Sequence, residues 1–435
     1  MSEQTRILSQ PLPLPNGASL PNRLAKAAMT EGLADERGYP SAELEQLYAR
    51  WGESGCGLLI TGNVQVDRHH LERPGNVVID REPDAEMQAA LQRWAAAAKS
   101  GGARLWMQIS HAGRQTAAIV NPHPKAPSAI PMALPGKQFG QPVAMQEAEI
   151  LETIERFAMA AGAAQAAGFD GVQIHAAHGY LISAFLNPRA NQRDDRWGGS
   201  LENRARLLLE VLKAVRARTG PAFTIAVKLN SADFQKGGFS FADSTRVAQW
   251  LTEGGIDLIE ISGGNYEQPR MMDMDGMEKP DIAALPTSTA RREAYFLDFA
   301  SEMRRTVTVP LMVTGGFRSA AAMADAIADA GIALIGLGRP LCVDTQCVHQ
   351  LLADERQTLD RWEVQLQLGP GWLGPHSPFG LIKVLNGFGA TYWYYQQFRR
   401  MGRGAAPDLR LGVFGALLRE LRDQKRWLAR ARLPQ

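Results

Sequence analysis

The sequence predicts an α/β protein, a (β/α)8 TIM barrel followed by a helical C-terminal extension. Two observations carry this reading. Eight short apolar segments read as buried strands, and helical patterns fill the intervals between them. The 435 residues also suit one barrel of roughly 250 residues or more plus an appendage. A doubly wound open sheet is the structural rival, but it would not need eight units of such regular spacing.

The strands are expected at Arg23–Ala28, Gly57–Thr61, Arg104–Ile109, Gly171–His175, Thr224–Leu229, Leu258–Ile261, Leu311–Thr314 and Ala333–Leu337. Several are near-continuous Ile, Leu and Val, as parallel strands covered on both faces require. Between them, Ser41–Glu53 begins on an N-cap serine, Asp84–Lys99 has an acidic first turn, and Glu147–Ala167 stops at the C-cap glycine Gly168. Leu201–Arg218, Ala242–Thr252, Thr289–Arg305 and Ser319–Ala330 complete the pattern.

Asn121–Gly140, with Pro122, Pro124, Pro127, Pro131 and Pro135, reads as an excursion at the barrel top. Tyr266–Thr289, with Met271, Met272, Met274 and Met277, reads equally as a mobile lid or a disordered surface loop. The barrel is assigned to residues 1–358 and the extension to 359–435. The extension holds Trp362, Trp372, Tyr392, Trp393, Tyr394 and Tyr395 and ends in the basic helix Leu411–Arg432. Such a helix packs on its own domain or on a second subunit more often than it rests on a membrane surface.

Composition excludes several classes. With 45% hydrophobic residues, 21% charged residues and a net charge of +2, nothing points to nucleic acid or an anionic membrane. Cys56, Cys342 and Cys347 form no CxxC pair, so a reducing cytoplasm is expected and an iron–sulfur cluster, needing about four thiolates, is not. The start MSEQTRILSQPLPLPNG lacks a signal-peptide pattern, and no segment has the roughly 20 apolar residues of a membrane span. A small-molecule enzyme is expected, with homo-oligomerisation open.

In this fold, chemistry sits where strands end and loops begin. Strand one runs into Ala28, Met29 and Thr30, strand two into Gly62 and Asn63, and strand three into Gln108, His111 and Arg114. Strand four ends in His175, His178 and Tyr180, strand five in Lys228 and Asn230, and strand six in Ser262–Asn265. Gly315 and Gly316 after strand seven, with Gly338 and Arg339 after strand eight, match a phosphate site on adjacent loops. Backbone N–H groups can approach a phosphate there, and an arginine adds bidentate charge. Turns also want glycine, so it is the two neighbouring strand ends together that carry this reading.

His175 and His178 admit three readings: a satisfied polar pair, metal ligands, or two donors aimed at a substrate oxygen. Zinc wants a third protein ligand and usually carboxylate support. The other strand ends offer mainly amides, glycines and cations, so the donor pair is preferred and no metal is expected. Tyr180 follows on the same loop. Its phenol, with an ordinary pKa of about 10, is protonated at neutral pH and can act as an acid; a tyrosine packed under the loop is the plainer alternative.

The stretch Gly168–Arg204, GFDGVQIHAAHGYLISAFLNPRANQRDDRWGGSLENR, resembles the central motif of the old yellow enzymes. NRLAKAAMT, MQISHAGR, VKLN, TGGFRS and LGRPL extend the resemblance from about Asn22 to Asp344. It implies FMN held non-covalently at the barrel mouth and reduced by NADH or NADPH. Hydride would then pass from flavin N5 to the β-carbon of an alkene activated by a carbonyl or nitro group. By motif, His175 and His178 would bind the substrate oxygen and Tyr180 would protonate the α-carbon. Gln108 would bond the flavin pyrimidine edge, Thr30 would donate to flavin O4, and Lys228 would stabilise the anionic reduced flavin. Gly315, Gly316, Gly338 and Arg339 would hold the phosphate, with Ala28, Met29, Gly62, Asn63 and His175 in the same cofactor shell.

Three positions depart from the family pattern. Lys228 stands where arginine is common, Ala28 where proline is frequent, and Thr30 where one branch has cysteine. Lysine is a point charge without arginine's planar fork. Neither a four-cysteine cluster nor a GxGxxG motif follows the barrel, which favours a single-flavin enzyme. Asn191, Arg193, Asp194 and Gly198–Arg204 read as structural, with Ser200 and Asn203 suited to starting a helix. An FMN oxidoreductase with other natural work, such as NADH oxidation, is the alternative. A metal-dependent hydrolase and a non-catalytic binding protein are less compatible with these strand ends.

Overall fold

A computed structural model describes residues 1–134, 138–268 and 296–431. Eight strands run parallel in one closed sheet: β1 Leu24–Lys26, β2 Leu58–Ile60, β3 Arg104–Ser110, β4 Gly171–Ala176, β5 Thr224–Asn230, β6 Leu258–Ser262, β7 Leu311–Thr314 and β8 Leu334–Leu337. Each pairs with its sequence neighbour, and β8 returns to β1 through Ile335↔Leu24 and Leu337↔Lys26, which closes the barrel. The eight expected strands are these eight, trimmed or extended by one or two residues.

The surrounding helices are α1 Ala42–Gly52, α2 Ala85–Ala98, α3 Glu147–Ala166, α4 Leu201–Thr219, α5 Phe241–Glu253, α6 Leu297–Met303, α7 Ala320–Ala328 and α8 Cys347–Leu352. Their starts follow local capping chemistry: the side chains of Ser41, Asp84, Ser200, Ser240 and Ser319 each accept an amide hydrogen bond from the first turn. Residues 289–295 of the expected sixth helix lie outside the described residues, as do Pro135 and the methionines Met271, Met272, Met274 and Met277.

Period-two alternation divides each strand between two environments. One set of residues packs against the helices, including Leu24, Leu59, Leu105, Val172, Ile225 and Ile259. The other set faces the barrel interior and changes character along the strand. Near the strand starts it is apolar: Ala25, Leu58, Trp106, Ala226, Leu258, Met312 and Leu334 form one cluster. Two and four residues further, the same parity gives Gln108 and Ser110, Lys228 and Asn230, and Glu260 and Ser262. The interior is therefore oily at one end and polar at the C-terminal end, where a site belongs.

The oily end is sealed by the start of the chain. Leu12–Pro13 and Ser19–Leu20 form an antiparallel hairpin, and Leu12, Leu14 and Leu20 join the interior cluster. The opposite end is covered from the C-terminus. Helix α9, Gly380–Gly402, packs on α1, where the rings of Phe398 and Trp51 lie 5.3 Å apart. Helix α10, Val413–Ala431, packs on α9, and Trp427 Nε1 donates to the carbonyls of Ala34 at 3.0 Å and Asp35 at 3.1 Å. Among the described residues, no helix is long and apolar enough to cross a membrane.

Candidate active site

The segment after β4 supplies the two imidazoles and the phenol. His175 occupies an interior strand position and is buried. The chain then turns through His178, which takes φ 63°, a left-handed conformation that is costly for a side chain with a Cβ. That turn is held by Asn230 Oδ1, which accepts from His178 N at 3.2 Å, and by Gln115 Nε2, which donates to His178 O at 2.8 Å. Tyr180 N-caps the short helix Leu181–Leu186. The His175 ring meets that of His178 at 5.1 Å and that of Tyr180 at 4.8 Å, both edge to face. The structure thus brings together the three residues assigned to the substrate end.

Both imidazoles are neutral at physiological pH. Burial, and then the Lys228 cation, push each well below the usual histidine range. His178 Nε2 lies 2.7 Å from Ser262 Oγ. Burial holds the Tyr180 phenol well above its ordinary value, so it keeps its proton, and its hydroxyl lies 2.8 Å from that of Tyr266.

Below them runs a buried polar chain. Gln108 Nε2 donates to Gln173 Oε1 at 2.7 Å, and Gln173 Nε2 donates to Glu260 Oε2 at 2.7 Å. Lys228 Nζ pairs with Glu260 Oε1 at 2.8 Å across the β5–β6 register. This corrects the expectation that strand ends offer few carboxylates: Glu260, Glu31 and Glu72 all stand at this end of the barrel. The cation at Lys228 is therefore already matched by an anion.

A cavity of about 880 Å³ opens beside this cluster, within the size range of small-molecule sites. Ala28, Met29, Thr30, His178 and Lys228 line it, together with Gly315, Gly316, Gly338 and Arg339. Gln108, His175, Tyr180, Gly62 and Asn63 are not on its wall. Gly62 donates its amide to Glu31 Oε1 at 2.9 Å, and a Cβ there would collide with that carboxylate. Asn63 Oδ1 accepts from Thr30 Oγ1 at 3.0 Å and from Asn76 Nδ2 at 3.1 Å, so it orients Thr30.

The glycine loops let backbone amides approach a ligand closely. Gly315 and Gly316 take φ 120° and 86°, a backbone open to glycine, and nothing comes nearer than 3.6 Å to a Cβ built on Gly338. Arg318 and Arg339 converge there on one carboxylate, that of Glu363, at 2.6 and 3.7 Å. Lys383 and Asn386 of α9 line the same cavity, so the extension contributes to it. The glycine backbone and these cations suit the phosphate of a mononucleotide, and Lys228 lines the same cavity; Gln108, bonded to Gln173 and off the wall, does not reach it here.

The sequence model of the NADH:flavin oxidoreductase / NADH oxidase family matches residues 8–357. The chain belongs to that family. An NADH-dependent flavin oxidoreductase of Hypocrea jecorina is 37% identical over 354 residues, spanning 77% of this chain and 86% of the relative. Among solved structures, the old yellow enzyme homologue of Zymomonas mobilis superposes with TM-score 0.66 and 25% identity over 81% of this chain and 94% of that one. Morphinone reductase gives TM-score 0.63 and 25% identity over 81% and 90%. This flavin oxidoreductase accordingly uses FMN with a reduced nicotinamide as its electron source.

Other parts of the central motif serve structure. Asn191 Nδ2 donates to the carbonyls of Phe185 and Trp197, each at 2.8 Å, and Arg193 Nη1 to those of Pro127 and Met145 at 3.1 and 2.6 Å. Arg204 bonds Leu186 O and Asp243. These contacts pin the loop after β4 and the proline-rich insertion. Among the described residues, Asp67, His70 and His111 cluster as metal ligands would. Arg156 Nη1 lies 2.9 Å from Asp67, and His70 Nε2 already accepts from the Lys125 amide at 2.8 Å, so the cluster is satisfied without an ion.

Sequence reasoning missed Glu260, Glu72 and Tyr266. Glu260 carried a signal, since it shares interior parity with Leu258 and Ser262. Tyr266 stands four residues beyond the end of β6, while Glu72 lies in a loop with no periodic pattern.

Proposed function

We propose that this FMN-dependent oxidoreductase reduces the C=C bond of α,β-unsaturated carbonyl or nitro compounds. The observation that carries the reading is the pairing of two neutral imidazoles with a protonated phenol on one loop beside the cavity. Bound FMN supplies hydride to the β-carbon. The chain's own part begins with His175 and His178, whose N–H groups bond the substrate oxygen and favour the negative charge that grows there. Neutral donors suit this task, because they need no counterion in a water-poor pocket. Tyr180 gives its proton to the α-carbon, the second half of the addition. Lys228, held by Glu260, keeps positive charge beside the flavin edge without an unpaired buried cation.

Tyr180→Phe tests the reading. Flavin reduction by NADH or NADPH should be unchanged, while reoxidation by an enone slows by about a hundredfold or more. Equal rates in both half-reactions would remove Tyr180 from the proton transfer. The second reading, NADH oxidation, is favoured by the family's own description. It predicts faster reoxidation by dioxygen than by any alkene in an anaerobic–aerobic comparison.

A further inference from the structure

Tyr180 is not the end of its hydrogen-bonded chain. Its hydroxyl lies 2.8 Å from that of Tyr266, which in turn lies 3.4 Å from Glu72 Oε1, a long contact in which a protonated carboxyl is the donor. The three residues come from the loops after β4, β6 and β2. At its other side the Tyr180 ring packs edge to face on that of His175, 4.8 Å between centroids. The chain ends on a carboxyl whose Oε2 is buried and has no hydrogen-bond partner. Glu72 as a whole residue is only partly buried.

An enclosed carboxylate oxygen without a donor is a costly anion, and protonation removes the cost. The neighbour best placed to hold that anion is Arg73. Its guanidinium is instead paired with Glu420 of α10 and lies 3.6 Å over the ring of Tyr395 of α9. Arg399 stands behind that pair, 3.6 Å from Glu420. The other titratable groups acting on Glu72 are the phenols of Tyr180, Tyr266, Tyr392 and Tyr395, all held above their ordinary value by burial. Burial of Glu72, outweighing the Arg73 charge and the Tyr266 hydroxyl, raises its carboxyl above the ordinary range.

We propose that Glu72 and Tyr266 form a proton relay that recharges Tyr180, so that the proton delivered to substrate is drawn from the Glu72 carboxyl. The inference rests on the reading of Tyr180 as proton donor. The substrate α-carbon takes the Tyr180 proton with its own electron pair as the phenolic O–H bond breaks. The Tyr180 oxygen takes the proton of Tyr266, and the Tyr266 oxygen takes that of Glu72, which is left as a carboxylate. Both tyrosines end as they began; one proton has moved and no electron has. Solvent then returns the proton to Glu72, a residue only partly buried. The relay avoids a buried tyrosinate, the species that burial makes most costly here. Glu72 and Tyr266 touch no reacting atom and act through Tyr180.

The test uses FMN-loaded wild type, Glu72→Gln and Tyr266→Phe. The infrared difference between wild type and Glu72→Gln at neutral pH should contain the C=O stretch of a protonated carboxyl; carboxylate bands alone would overturn the relay, with no substrate involved. In stopped flow, reoxidation of the reduced enzyme by an enone should slow about tenfold or more in each variant, with flavin reduction by nicotinamide unchanged. The rate plotted against D2O fraction should curve in wild type, as several moving protons require, and become linear in Tyr266→Phe. If wild type reduces enones and both variants match it in rate and curvature, the relay fails while the alkene-reduction reading stands. If wild type reduces no alkene, that reading fails and the relay fails with it, even with the carboxyl band present.

Discussion

The Nδ1 atom of His175 accepts a hydrogen bond from the backbone amide of Ala177 at 3.2 Å. An imidazole that accepts at Nδ1 carries its proton at Nε2 when neutral. The tautomer of His175 is thus set by the turn that follows it, and the remaining N–H is a committed donor. His175→Ala should weaken binding of a phenol or enone analogue by about tenfold, one hydrogen bond's contribution to an anionic oxygen. Titration of the flavin absorbance checks this, and unchanged affinity would take His175 out of the substrate site.

His178 depends on a side chain in the same way. Ser262 Oγ lies 2.7 Å from its Nε2, and Nδ1 carries a proton only if the hydroxyl is the donor of that bond. Ser262→Ala should therefore lower analogue affinity several-fold with little change in melting temperature, and Ser262→Thr should restore it. A loss of stability equal to the loss of affinity would mark Ser262 as structural only.

The extension is tied to the barrel by a buried ion pair, Arg73 with Glu420, both nearly inaccessible. Removing one partner of such a pair leaves an uncompensated charge, at a cost of about 3–5 kcal/mol. Glu420→Gln should lower unfolding free energy by that order in denaturant melts. A change under about 1 kcal/mol would mean that the guanidinium finds other support, including the face of Tyr395.

Asp233, in the loop after β5, is buried and its carboxyl is pushed up to about 6 by that burial, against the bond from Asn230. A raised carboxyl pKa means that the folded protein holds this proton more tightly than the unfolded chain. Stability from this group is full below about pH 4 and is lost as pH rises to about 6, in total about 3 kcal/mol. The stability of wild type relative to Asp233→Asn should fall across that window. A difference independent of pH would show that Asp233 is ionised throughout.

The barrel was legible because strands buried on both faces leave continuous apolar runs, as in Leu58–Ile60 and Leu334–Leu337. His175, His178 and Tyr180 were legible because one loop carries them together. Glu260 could have been read from parity, since it faces the same way as Leu258. The hairpin around Asn16-Gly17 also carried a turn signal, although only burial of Leu12, Leu14 and Leu20 shows what the hairpin closes. Contacts made by loops leave no such trace: Glu72 and Tyr266 are 194 residues apart, and Arg73 and Glu420 are 347 apart. No local pattern announces them, because their geometry is set by where the barrel delivers each loop.

Closure of the sheet by β8 against β1 fixes when this protein can become itself. Synthesis delivers β1 well before β8, so the partner for one of its edges arrives only with Leu334–Leu337. Through most of synthesis the nascent sheet has two open margins, each able to recruit a stray strand. Slowing translation before residue 337 should therefore leave those margins open longer, and promote aggregation more, than slowing it after.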